Sequence, residues 1–96
     1  MIKCVVCFDV HTGKTNKNIN KLLSKLGYRV QNSVYEICIN YNEIDTVSQQ
    51  IESLIDKSTD SCIIYNLGRV SKVNSRYVGK QTNVAESLVS EGYIIV

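Results

Sequence analysis

The chain has 96 residues, which is enough for one domain with a modest core that gains stability from a second copy. Hydrophobic residues make up 44% and charged residues 21%, the balance of an ordinary globular domain with no internal repeat or low-complexity tract. A net charge of +2 does not by itself mark a nucleic-acid binder, and no run of about 18 apolar residues is present to span a membrane.

Ile2 to Phe8 is a nearly continuous apolar run rich in β-branched residues, which predicts a central strand buried on both faces and ended by Asp9. The run is short, stops at a carboxylate and has no small-residue cleavage site after it, so it reads as a strand and not as a signal peptide. Cys4 and Cys7 have C-x-x-C spacing, but on a strand residues three apart point to opposite faces. Together with Cys38 and Cys62 they read as structural thiols, and a reducing cytoplasm is the expected home. Val10 to Thr15 reads as a loop. Within it Gly13-Lys14-Thr15 copies the end of a phosphate-binding P-loop, but Phe8 stands where that motif needs its first glycine.

A helix is predicted from Asn16 to Leu26, with Ile19, Leu22, Leu23 and Leu26 on one face and Lys17, Lys21 and Lys25 on another. Gly27 is the expected stop. Tyr28 to Asn40 changes phase at Gln31-Asn32-Ser33, which predicts two short strands and a tight turn. A second helix is predicted from Glu43 to Asp56, capped by Asn42 with Asp45 in its first turn, and with Ile44, Val47, Ile51, Leu54 and Ile55 buried. Lys57 to Asp60 is a loop, and Ser61 to Leu67 a fourth strand. In the tail, Val84 to Glu91 is a short helix or an extended loop. Gly92 to Val96 is a terminal strand expected to add to a sheet edge of this chain or a partner's.

The order β-α-β-β-α-β predicts a single α+β domain of the ferredoxin-like kind, with a core over residues 1–67 and an extension over 68–96 that contacts a dimer partner. Two helices cover one face of a four-stranded antiparallel sheet. The other face is left for a second copy, which is a physical reason to expect a homodimer.

Asp9 is the first candidate for chemistry, because a carboxylate at a strand end is exposed and rigidly placed, and hard cations take oxygen ligands. His11 is a candidate metal or phosphate ligand beside it; the plainer reading is a solvated loop side chain. Arg69, Lys72, Arg76 and Lys80 share an acid-free segment with Tyr77, and Lys14, Lys17, Lys21 and Lys25 add a basic loop and helix. Cations of this kind meet phosphates, although a charge run is more often a solvated face.

Arg29-Val30-Gln31-Asn32-Ser33-Val34-Tyr35-Glu36, taken with Val5 to Asp9, Lys21-Leu22-Leu23, Gly27 and Asp60 to Tyr65, resembles the CRISPR-associated Cas-two family of spacer-acquisition proteins. Lys14 and Lys17 stand where many members carry an arginine-rich run, and the tail after Leu67 matches loosely. The resemblance implies a homodimer in which Asp9 from both subunits is catalytic and holds Mg²⁺ or another divalent cation such as Mn²⁺, forming an endonuclease centre. It implies Ser33 and Tyr35 near the dimer interface or supporting the centre. Lys14, Lys17, Arg29, Arg69, Lys72, Arg76 and Lys80 are the expected nucleic-acid contacts. The implied partners are the Cas-one integrase, double-stranded prespacer DNA and single-stranded RNA, with no membrane. The competing readings are a stand-alone ribonuclease similar to VapD-type toxins and a ferredoxin-like regulatory module binding a small ligand.

Overall fold

Strand β1 (Ile2–Asp9) is followed by α1 (Gly13–Ser24), β2 (Gly27–Gln31), β3 (Val34–Ile39), α2 (Ile44–Leu54) and β4 (Ser61–Arg69). These belong to a computed structural model that describes residues 1–72, 76–79 and 94–95. The four strands form one antiparallel sheet in the order β2-β3-β1-β4, the ferredoxin-like arrangement expected from the element order.

Strand and helix periodicities converge on one core. Alternate residues of β1 (Ile2, Cys4, Val6 and Phe8) are buried with Tyr35, Ile37 and Ile39 of β3. Ile19 and Leu23 of α1 and Val47 and Ile51 of α2, each pair four residues apart, fill the same cluster, so both helices cover the same sheet face. On the other face Lys3 is buried, while Ile63, Tyr65 and Leu67 of β4 are 51%, 51% and 46% exposed, with neither α1 nor α2 over them. The register sets Val5 opposite Tyr65 and Cys7 opposite Ile63 on that face.

Element ends differ from the sequence reading for identifiable reasons. Helix α1 starts at Gly13, not Asn16, because the Thr12 hydroxyl accepts the Thr15 N–H at 3.1 Å and caps it. Gly13-Lys14-Thr15 is therefore a first helical turn, where a loop was expected. Gly27 does not end that helix but opens β2, and a Cβ there would lie 1.9 Å from the Glu36 carbonyl oxygen. Asn42 is not a helix cap. A 3-10 turn at Tyr41–Glu43 precedes α2, closed by the Asn40 N–H donating to Glu43 Oε1 at 2.9 Å. The hairpin between β2 and β3 turns on Asn32-Ser33, with Ser33 at φ 67°. Strand β4 runs on to Arg69, past the expected end at Leu67. Strand β5 (Arg76–Tyr77) pairs in parallel with β6 (Ile94–Ile95), so within this chain the terminal strand joins β5 and not the edge of the four-stranded sheet. The expected element at Val84 to Glu91, and Lys80, lie outside the described residues.

Gly27→Ala is expected to lower stability by about 3 kcal/mol or more, because the added methyl meets backbone that cannot swing aside. Gly13→Ala, with nothing within 4 Å of the new methyl, is the control and should leave the urea midpoint near native.

Candidate functional site

Asp9 is the exposed last residue of β1, and the backbone around it is tied on both sides. On one side the Phe8 N–H donates to the Ser33 carbonyl at 3.0 Å, so the β2–β3 turn abuts the strand end. On the other, Asp9 pairs with Ser61 in the β1–β4 register, and the His11 N–H donates to Asp60 Oδ1 at 3.1 Å. Beneath, the buried Tyr35 ring stacks with Phe8 at a centroid distance of 6.3 Å, and its hydroxyl donates to Asn20 Oδ1 at 2.7 Å. Tyr35 is 3% exposed and belongs to the helix-covered core. Its side chain therefore packs beneath the strand end from inside the chain. Ser33 acts through its carbonyl.

Asp60 is the residue that the sequence reading missed. Its side chain is 2% exposed and Oδ1 also accepts from the His11 ring, Nδ1 at 3.0 Å, and from the Thr59 hydroxyl at 3.1 Å. Oδ2 accepts the Asp56 N–H at 2.9 Å. The Asp56 carboxylate in turn accepts the Ser58 N–H and hydroxyl at 3.0 and 2.6 Å, which tightens the loop. The Asp56 N–H, and next the His11 ring, hold the Asp60 carboxyl below its ordinary value. The hydrogen bond to Asp60 raises His11 above its ordinary 6.5 against opposing desolvation, and the charges of Asp9 and Asp60 add to the rise. His11 is thus engaged by Asp60, where the sequence reading had offered it to a metal or phosphate.

No hydrogen bond or ion pair from the described residues engages the Asp9 carboxylate. Among the described residues no group of three or more His, Cys, Asp or Glu side chains is placed to hold a metal ion. The cysteines are free. Burial raises the Cys4 thiol, and burial with the nearby Cys7 pushes Cys62 up to about 11, so neither is a thiolate near neutrality.

The described basic residues do not all lie at the Asp9 end of the sheet. Lys14 and Lys17 are exposed on the first turns of α1, close in sequence to Asp9, and Arg29 is exposed on the outer strand β2. Arg69 pairs with Ile2, at the opposite end of β1 from Asp9, roughly 23 Å away at about 3.3 Å per strand residue. Lys72 follows it in a 3-10 turn, and Arg76 is exposed on β5.

Residues 1–74 match the family described as CRISPR associated protein Cas2. The chain belongs to the Cas2 family. It is 31% identical over 85 residues to the CRISPR-associated endoribonuclease Cas2 of Thermococcus kodakarensis, covering 88% of this chain and 96% of that one. It is 29% identical over 85 residues to the CRISPR-associated endonuclease Cas2 of Halalkalibacterium halodurans, covering 83% and 88%. Its fold superposes on the crystal structure of Streptococcus pyogenes Cas2 with a TM-score of 0.64 and 34% identity, over 69% of this chain and 86% of that one. It also superposes on a chain of a partial Cas6-RT-Cas1–Cas2 complex with a TM-score of 0.62 and 28% identity, over 78% and 84%.

The pinned pair gives a pH signature. Because His11 is raised in the fold, its contribution to stability is full below about pH 6.5 and lost as pH rises through the raised value. Because Asp60 is lowered, its contribution is present above about pH 4 and lost as pH falls through the lowered value. The urea-midpoint difference between native protein and His11→Ala is therefore expected to be largest between about pH 4 and 6.5 and to shrink by pH 9.

Proposed function

We propose that this chain is a CRISPR adaptation protein that acts as a homodimer, holds DNA for a Cas1 integrase, and carries a divalent-cation endonuclease site built from Asp9 of two copies. The observation that carries the reading is the exposed Asp9 carboxylate, without a hydrogen bond from the described residues, on a backbone tied at both sides, in a chain of this family. The endonuclease and endoribonuclease names of its relatives support the chemistry, and the neighbour found in a Cas1–Cas2 complex supports the partner.

The donor set fits a hard cation in a dimer. One chain offers the Asp9 carboxylate and, among the described residues, no group of three or more metal-ligating side chains. Mg²⁺ keeps several waters and needs only one or two carboxylates, so two facing copies of Asp9 suffice. When bound, Mg²⁺ or Mn²⁺ supplies charge stabilisation at a phosphate oxygen and a more acidic water. The chain itself holds Asp9 in place and presents Lys14 and Lys17 on the neighbouring helix to the phosphate backbone. The apolar row Ile63, Tyr65 and Leu67 is the face that a second copy covers.

Cleavage of single-stranded RNA and duplex DNA in Mg²⁺, with native protein and Asp9→Asn, tests the enzyme. The expected outcome is metal-dependent cutting that falls to background in a folded, dimeric variant. If the native protein cuts neither substrate, the nuclease half is abandoned and DNA holding stands alone. Tyr65→Lys, placing a charge on the uncovered face, is expected to convert a two-chain sedimentation mass into that of one chain while α-helical circular dichroism is kept.

A further inference from the structure

Three features meet at one carboxyl group. The Asp60 side chain is almost wholly buried, yet it belongs to a loop and not to the apolar core. It takes four hydrogen bonds, from the His11 N–H, the His11 ring, the Thr59 hydroxyl and the Asp56 N–H. Two of these come from across the fold, 49 positions away in sequence, and they land two residues beyond Asp9. A local loop needs only the other two. A carboxylate that accepts bonds from both of its oxygens has little freedom to rotate, so the residues it holds are fixed with it.

We propose that Asp60 is the positioning residue of the Asp9 site: by holding the His11 backbone and ring it sets the path of the chain leaving β1 and so the direction in which the Asp9 carboxylate meets a divalent cation. This rests on the reading of Asp9 as a metal ligand. The strand side of Asp9 is already set by the Phe8 N–H to the Ser33 carbonyl, and its pairing with Ser61 places Asp60 next door. The strap from His11 to Asp60 closes the remaining side, with only Val10 between it and Asp9. Groups that hold a metal ligand in this way change metal affinity when removed, typically by tenfold to a hundredfold.

The test uses the full chain and Mn²⁺ alone. In the metal-free protein, NMR hydrogen exchange reads the His11 amide directly. It is expected to be protected in native protein and to exchange rapidly in Asp60→Ala. Mn²⁺ titration, at a temperature where circular dichroism shows the variant folded, is expected to give an affinity about tenfold or more weaker for Asp60→Ala. Asp60→Asn keeps an oxygen for His11 and loses the acceptor for the Asp56 N–H. It is expected to be less stable than native but to bind Mn²⁺ nearly as well. Native affinity in folded Asp60→Ala overturns the proposal. So does an equal loss in Asp60→Asn and Asp60→Ala, which would track stability and not the strap. If Asp60→Ala does not fold, His11→Ala, which removes the ring bond, decides: weaker Mn²⁺ binding with faster exchange at position 11 supports the strap, and native binding overturns it. Equal Mn²⁺ binding by native protein and Asp9→Asn overturns the metal-ligand reading and the positioning role together, whereas Asp9-dependent binding that ignores Asp60 overturns only the latter.

Discussion

Strand β1 is hydrogen-bonded along both edges, to β3 and to β4, and the rest of the protein is arranged by that double pairing. Its even-numbered residues point into the helix-covered core and its odd-numbered ones, the buried Lys3 and the half-buried Val5 and Cys7 among them, to the face away from the two helices. Interior strands of a sheet are the least mobile backbone that a small domain possesses. A side chain at the end of such a strand inherits that rigidity without being buried, which is the situation of Asp9. The turn at Ser33, the ring of Tyr35 and the loop at Asp60 all act on the last two residues of this strand or on the chain just beyond it.

The electrostatics follow the same axis. The free carboxylate lies at one end of β1 with two lysines on the neighbouring helix, while Arg69 and Lys72 lie at the other. A polyanion that contacts both sets runs along the sheet and is not held at one spot. Screening at physiological salt reaches about 8 Å, so the two ends act as separate contacts and not as one field.

The fold was legible in the sequence because its signals are local. The apolar run at Ile2 to Phe8, the four-residue spacings in both helices and the phase change at Gln31-Asn32-Ser33 each report on neighbours a few positions away. Asp9 was legible for the same reason, as the polar stop of an apolar strand. What escaped depended on approach across the fold. Gly27 looks like a helix stop until β3 brings the Glu36 carbonyl against it. Asp60 looks like one more polar loop residue, since nothing near it announces His11 on the opposite loop. Tyr35 is a different case. It shares its phase with Ile37 and Ile39, which the structure shows to be the core face, while the family likeness implies a place near the dimer interface or supporting the centre.

The pairing of β1 with the late strand β4 also has a meaning in time. As the chain leaves the ribosome, β1 emerges first and gains its β3 edge when the hairpin is made, but its other edge stays open until residues 61–69 follow. Non-local pairings of this kind are the slow steps of folding, and an unpaired apolar strand is where a nascent chain is most open to wrong partners. Asp60 enters just ahead of β4, so the loop that holds His11 and the strand that seals the sheet arrive together. A chain interrupted before that point has the carboxylate but not the frame around it, and the central strand then waits with one side bare.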